Sequence, residues 1–255
     1  DYREIVKTLL RNTVIALFIA ALIVILTPLI NFSIQHFFNT STETQKLVNT
    51  YINVRVFSVP AELIIYILVG FYLGIQKTKI SSLLIITLSV LNIVFSSVLV
   101  LSYNLNVLGV ALGTLLASYI TLIIFTLFTH NFIIKKFKII PRFEKLIVQS
   151  KILKLLKINL DIFIRTLFLT FSFFWVTYQG SKLGEDYLAV NTILMQFIII
   201  AAFFLDAYAF STEGIVGYSI GRRNKTSFLQ VVKNSIQVSL FTAIIISILY
   251  LIFFK

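Results

Sequence analysis

The chain has 255 residues, 58% apolar and 13% charged, with 22 basic against 10 acidic side chains and a net charge of +12. A soluble domain runs about 45–50% apolar and about 25% charged, so a mean hydropathy of +0.97 excludes disorder, a coiled coil and an ordinary cytosolic enzyme. Long uncharged runs recur along the whole length, and runs of about 18 or more read as membrane-spanning helices. The fold class is therefore an all-α polytopic membrane bundle.

Seven spans are predicted, over residues 12–34, 49–75, 80–103, 107–130, 158–180, 186–220 and 228–254. Basic residues fall on alternate turns. One side carries Arg3, Lys7 and Arg11, then Lys77 and Lys79, then eight basic residues from Lys135 to Lys157, then Arg222, Arg223 and Lys225. The other side carries Lys46, Lys182 and Lys255. The positive-inside rule puts the richer side, and the N-terminus, in the cytoplasm. A basic excess confined to short loops is an orientation signal, and no nucleic-acid motif accompanies it. No nucleic-acid partner is expected. Membrane lipids are.

Cysteine is absent, which removes disulfides and thiol chemistry and makes single-cysteine labelling clean. A cysteine replacing Ser150 is expected to label from the cytoplasm, and one replacing Ser41 from outside. Reversed sides for either would overturn the charge count. The start at Asp1 and the odd number of spans lead to the expectation of a piece of a longer chain.

Residues 131–157 form the internal boundary, giving four spans in 1–134, a basic linker in 135–157 and three spans in 158–255. From Lys145 to Lys157 apolar and basic residues alternate at helical spacing. That pattern predicts an amphipathic helix lying on the membrane surface.

Eight of the nine glycines form pairs four apart: Gly70/Gly74, Gly109/Gly113, Gly180/Gly184 and Gly217/Gly221. Such pairs let helix backbones approach closely in lipid, so all four are expected to pack helices.

Ionisable residues at membrane depth cost about 2.5–3.5 kcal/mol each on insertion scales and so are functional candidates. Arg55 and Glu62 lie seven apart on the second span, with Pro60 between them as a kink. Asp161 and Arg165 lie four apart, acid first, the favourable order for a helical ion pair. Asp206 and Glu213 are again seven apart on one face, with no basic residue within four positions on their own helix. Their rise of about 10.5 Å prevents both from directly holding one small ion. An unpaired carboxylate in an apolar bundle neutralises itself with a proton or a cation, and either outcome supplies a coupling-ion site. The competing reading is a salt bridge to Arg55 or Arg165 on another helix.

His36 and His130 sit at span ends, and Phe174, Trp175 and Tyr178 are read as an interfacial belt. No metal site, cofactor or catalytic constellation is expected, and hence no enzyme.

Three stretches carry a resemblance. The second span, Y-I-N-V-R-V-F-S-V-P-A-E-L-I-I-Y-I-L-V-G-F-Y-L-G-I-Q-K-T-K, resembles the fourth helix of multidrug and toxic compound extrusion (MATE) transporters. The fourth span, G-V-A-L-G-T-L-L-A-S-Y, resembles their sixth helix. The series N-L-D-I-F-I-R-T-L, L-A-V-N-T-I-L-M-Q and F-L-D-A-Y-A-F-S-T-E-G-I-V-G resembles helices seven and eight of the DinF-like branch, at Asp161, Arg165, Asn191, Met195, Asp206 and Glu213. The resemblance implies a twelve-helix, two-lobe antiporter of the bacterial inner membrane, with this chain as helices three to nine. Sodium or proton entry would drive export of small organic, often cationic, compounds. Asp206, Glu213, Asp161, Asn191 and Asn92 become candidate ion or substrate residues, and Arg55, Glu62 and Arg165 candidate structural ion-pair members. One departure stands out: the branch usually has an acid four residues after Asn92, and here Ser96 takes that place. The alternatives are a lipid-linked oligosaccharide flippase of the same superfamily, a non-transporting truncated membrane protein, and a seven-helix receptor.

Overall fold

The structure, a computed structural model, describes residues 2–37, 42–138 and 149–253. Pro141, residues 145–148 of the amphipathic stretch, Ser41 and the side chain of His36 lie outside the described residues. Among the described residues eight α-helices follow one another: α1 (Tyr2–Phe37), α2 (Thr42–Arg55), α3 (Val59–Gly74), α4 (Thr78–Ser97), α5 (Asn106–Phe132), α6 (Gln149–Leu183), α7 (Glu185–Gly221) and α8 (Lys225–Phe253). Seven stretches are long and apolar enough to cross a membrane; α2 and α3 join into one of them, Gln45–Gly74. The chain divides into two compact units, Asp1–Leu146 and Ile147–Lys255. The division falls inside the 135–157 segment.

The first unit holds α1 to α5. Its buried core is Val6 and Leu9 of α1, Ile65, Leu68, Phe71 and Tyr72 of α3, Leu84 of α4, Phe125 of α5 and Ile133. The Tyr72 hydroxyl lies 2.8 Å from that of Thr129 on α5, so the one polar atom of this large buried side chain is satisfied. The first helix begins ten residues earlier than the apolar run predicts. Arg3, Lys7 and Arg11 are helical, and Arg11 is buried with its Nη1 3.4 Å from Glu4 Oε2. A charged turn stays helical because backbone hydrogen bonds, not hydropathy, end a helix.

The α3–α4 and α7–α8 turns share one geometry. After α3, Gln76 N–H donates to the Leu73 carbonyl and Lys77 N–H to that of Tyr72. After α7, Arg223 N–H donates to Ile220 and Asn224 N–H to Ser219. This is the Schellman arrangement, which caps the final carbonyls and needs one residue in the left-handed region. Gln76 (φ 59°) and Arg223 (φ 54°) occupy it.

The second unit holds α6, α7 and α8. Hydroxyl contacts tie α7 to α8 in antiparallel register: Tyr250 to the Phe197 carbonyl at 2.6 Å, Tyr208 to Thr242 at 3.0 Å, Thr212 to Ser235 at 2.6 Å and Ser219 to Ser227 at 3.0 Å. Lipid provides no hydrophobic drive between helices, so hydrogen bonds and close packing hold such pairs.

Two expectations change. Residues 149–157 are the first turns of α6 and continue without a break into the span. A separate surface helix is therefore not seen over 149–157, and the stretch long and apolar enough to cross a membrane runs from Leu155 to Gly180. The glycine pairs also differ among themselves. A Cβ on Gly113 would fall 2.4–2.7 Å from Ser96 of α4, and one on Gly109 3.1 Å from Leu99. Gly180 faces Asn191, while Gly70, Gly74, Gly217 and Gly221 have no neighbour within 4 Å of such a Cβ, and Gly184 takes φ +120° in the turn before α7. Spacing places two glycines on one face; only the packing of the next helix makes that face a contact.

Candidate functional site

The second span is interrupted. Pro60 has no N–H and cannot continue the ladder from α2, so a 3₁₀ turn at Val56–Ser58 separates α2 from α3, with Pro60 in the first turn of α3. The break frees carbonyls inside an apolar span, and hydroxyls take them. Ser58 Oγ donates to the Arg55 carbonyl at 2.6 Å, and Tyr119 of α5 donates to the Phe57 carbonyl at 3.0 Å.

Arg55 is thus the last residue of α2 and Glu62 lies in the first turn of α3. Each charge suits its half-helix dipole, basic at the C-terminus and acidic at the N-terminus. They meet as a fork: Nη1 to Oε1 at 2.6 Å and Nη2 to Oε2 at 3.0 Å, with Ser58 Oγ a further acceptor for Arg55. Ser118 Oγ of α5 lies 3.2 Å from Glu62 Oε1 and 2.8 Å from the Thr114 carbonyl, so its single proton serves one of them at a time. Paired Arg–carboxylate bonds of this kind are strong and directional.

One turn further along α5, Thr114 Oγ1 accepts from Asn92 Nδ2 of α4 at 2.9 Å. Asn92 therefore joins a polar line that runs through Thr114 and Ser118 to Glu62 and Arg55. Ser96 sits where α4 and α5 come closest, its hydroxyl buried without a hydrogen-bond partner. Ser58, Thr114, Ser118 and Tyr119 were not singled out from the sequence. Their only signal is the four-residue spacing of Thr114 and Ser118, which is common in apolar helices.

In the second unit, Asp161 and Arg165 are both exposed on α6, and the two form no ion pair within 4 Å, contrary to the spacing. The spacing places the two side chains on one face of the helix and does not fix the rotamers that would bring their ends together. On α7 the hydroxyl seam fixes direction. Phe197, Tyr208, Thr212 and Ser219 fall within about 60° of one another at 3.6 residues per turn. Asp206 and Glu213 lie about 140° away, on the face opposite α8. Both are exposed within the apolar span Ala189–Gly221, and no hydrogen bond or ion pair joins either to another described residue. Asn191 lies about 40–60° from the two carboxylates, yet some 22 Å along the axis from the nearer one. It packs on Gly180 of α6, with its Nδ2 buried and unpaired. The structure thus places Arg55, Glu62 and Asn92 on one line and Asp206 with Glu213 on one face; Asn191 stands apart from those two.

Towards the C-terminal end of the α6 span, Phe171 and Trp175 stack at 6.0 Å and Phe174 and Tyr178 at 6.2 Å, with Lys182 Nζ 4.4 Å above the Tyr178 ring. Aromatic rings capped by a cation suit a membrane interface.

Among the described residues, seven apolar stretches, an interrupted span braced by an ion pair and carboxylates inside another span define a polytopic, all-helical integral membrane protein. The chain belongs to the MatE family, whose model matches residues 1–98 and 162–255. It is 32% identical over 251 residues to DNA damage-inducible protein F of Escherichia coli (strain K12), covering 98% of this chain and 54% of that protein. It is 27% identical over 112 residues to the multidrug export protein MepA of Staphylococcus saprophyticus, covering 44% of this chain and 25% of that one. The fold is similar to an outward-facing multidrug resistance MATE family transporter of the MOP superfamily (TM-score 0.85, 19% identity, 97% of this chain and 55% of that one). It is also similar to a MOP superfamily transporter from Pyrococcus furiosus (TM-score 0.84, 18% identity, 97% and 56%). The chain spans about half the length of the E. coli relative and of both solved structures.

Proposed function

We propose that the chain is part of a secondary active transporter of the bacterial inner membrane that exports small organic, often cationic, compounds against entry of sodium or protons. The observation that carries this reading is the pair Asp206 and Glu213. They share the face of α7 opposite α8, inside an apolar span, with no basic side chain beside either among the described residues. Carboxylates there become neutral by holding a proton or a cation, and each gain or loss couples that face to an ion gradient. Asp161 and Asn191 serve the same unit as secondary candidates. The Arg55–Glu62 pair has a structural role, since both oxygens of Glu62 are already engaged. Relatives named for multidrug export support the substrate class.

The test uses the complete protein in proteoliposomes with an imposed sodium or proton gradient and a fluorescent organic cation. Asp206→Asn and Glu213→Gln are each expected to lower gradient-driven export at least tenfold, the size of effect that loss of about 1.4 kcal/mol of coupling produces. Insertion and unfolding temperature are expected to stay at wild-type values. Wild-type export from both variants would return the two carboxylates to a structural role.

A further inference from the structure

The basic residues of the turn between α7 and α8 form no ion pair within 4 Å among the described residues. The last acidic residue of the chain is Glu213, and from 214 to 255 the charged side chains are Arg222, Arg223, Lys225, Lys233 and Lys255, all basic. Arg222 is engaged locally: its guanidinium lies 5.3 Å from the Tyr218 ring centre and donates to the Tyr218 hydroxyl at 3.1 Å. Arg223 and Lys225 instead line a cavity of about 330 Å³ together with Ser219, Ile220, Asn224 and Phe228. The start of α8 is not the attraction, because Asn224 Oδ1 already accepts from Ser227 N–H at 3.0 Å. The Ser219 and Ser227 hydroxyls also bond each other at 3.0 Å.

The wall of the cavity is mostly apolar, with Ile220 and Phe228 in it, and two of its six residues, Arg223 and Lys225, carry positive charge. Its position matches that division. The spans Ala189–Gly221 and Lys225–Ile252 end at this turn, which puts the cavity at headgroup depth, on the side the charge distribution assigns to the cytoplasm. Basic pockets between helix ends on that side take anionic lipid headgroups. We propose that the α7–α8 turn is a binding site for an anionic phospholipid, with Arg223 and Lys225 on the phosphate and Ile220 and Phe228 against the glycerol and upper acyl region. A phosphate monoanion shares the headgroup chemistry but leaves the apolar walls uncovered, and that difference separates the two sources.

The experiment follows thermal unfolding of the complete protein in neutral detergent, titrated with phosphatidylglycerol, phosphatidylcholine or inorganic phosphate. Phosphatidylglycerol is expected to raise the unfolding temperature well beyond the other two. In the double variant Arg223→Gln, Lys225→Gln the half-saturating phosphatidylglycerol concentration should rise roughly fivefold per charge removed, or about 25-fold in all. Lys233→Gln removes an equal charge away from the cavity and should leave the titration unchanged. The unfolding temperature in phosphatidylcholine shows that each variant is folded, and native mass spectrometry of the same samples counts bound lipid. Equal stabilisation by the two lipids, equal stabilisation by inorganic phosphate, or a double variant that titrates like wild type would each overturn the site. None of these readouts depends on transport.

Discussion

Truncating Glu62 to alanine is expected to cost the first unit about 2–3 kcal/mol, because removing one partner of a half-buried ion pair inside an apolar span leaves the other charge unpaired. Arg55 would lose both arms of its fork within an apolar span and keep only its local contacts to Ser58 and Tyr51. The penalty is large because exposure is low, 30% for the arginine side chain and 18% for the glutamate. Glu62→Gln should be milder, since the amide oxygen still accepts from one arm. Exchanging the residues, Arg55→Glu with Glu62→Arg, should recover only part of the loss: the charges would again pair, but each would sit at the wrong end of its half-helix dipole. Tyr119→Phe, which frees only the Phe57 carbonyl, should cost about 1 kcal/mol. Denaturant unfolding in mixed micelles orders the four variants. A Glu62→Ala protein within about 0.5 kcal/mol of wild type, the size of an ordinary surface substitution, would show that the fork braces nothing.

Gly113→Ala carries the next largest effect. The added Cβ would stand 2.4 Å from Ser96 Oγ, 2.6 Å from its amide nitrogen and 2.7 Å from its Cα. A side-chain oxygen can rotate away, but the two backbone atoms cannot, so α4 and α5 must separate. Overpacking of this kind costs about 1–3 kcal/mol, and leucine in place of alanine should raise the cost further. Gly70→Ala and Gly217→Ala meet nothing within 4 Å and should be neutral, or stabilising by up to about 1 kcal/mol through helix propensity. A Gly113→Ala protein as stable as Gly70→Ala would sink the close-contact reading. Ser96→Gly in the Gly113→Ala background should restore little, because the clash with the Ser96 backbone remains.

These outcomes separate what was legible in the residues from what was not. The seven spans could be read directly because the membrane imposes one rule on every segment: about twenty apolar residues with backbone bonds satisfied internally. Pro60 marked the interruption of the second span, since a missing N–H is a local property. The seven-residue spacing put Arg55 and Glu62 on one face, but the unwound turn that brings them to 2.6 Å arises from chain geometry at Val56–Ser58. Ser118 and Tyr119, which complete that site from α5, lie 56 and 62 residues along the chain from the atoms they contact. No local pattern encodes such a separation. The four-residue spacing of Asp161 and Arg165 failed to predict a pair, because spacing sets a shared helix face and not the rotamers that bring two side-chain ends together.

The amino-acid sequence by itself determined the class of fold, the number of spans and the candidate carboxylates of α7. All of these follow from transfer free energies and helical periodicity, which act residue by residue. Tertiary structure alone decided which glycines are contacts, which charges are paired, and that the hydroxyl seam turns Asp206 and Glu213 away from α8. Those outcomes depend on the distance and rotation between helices, and in a chain apolar on nearly every face, periodicity does not choose the rotation. Hydrogen bonds between a few hydroxyls do.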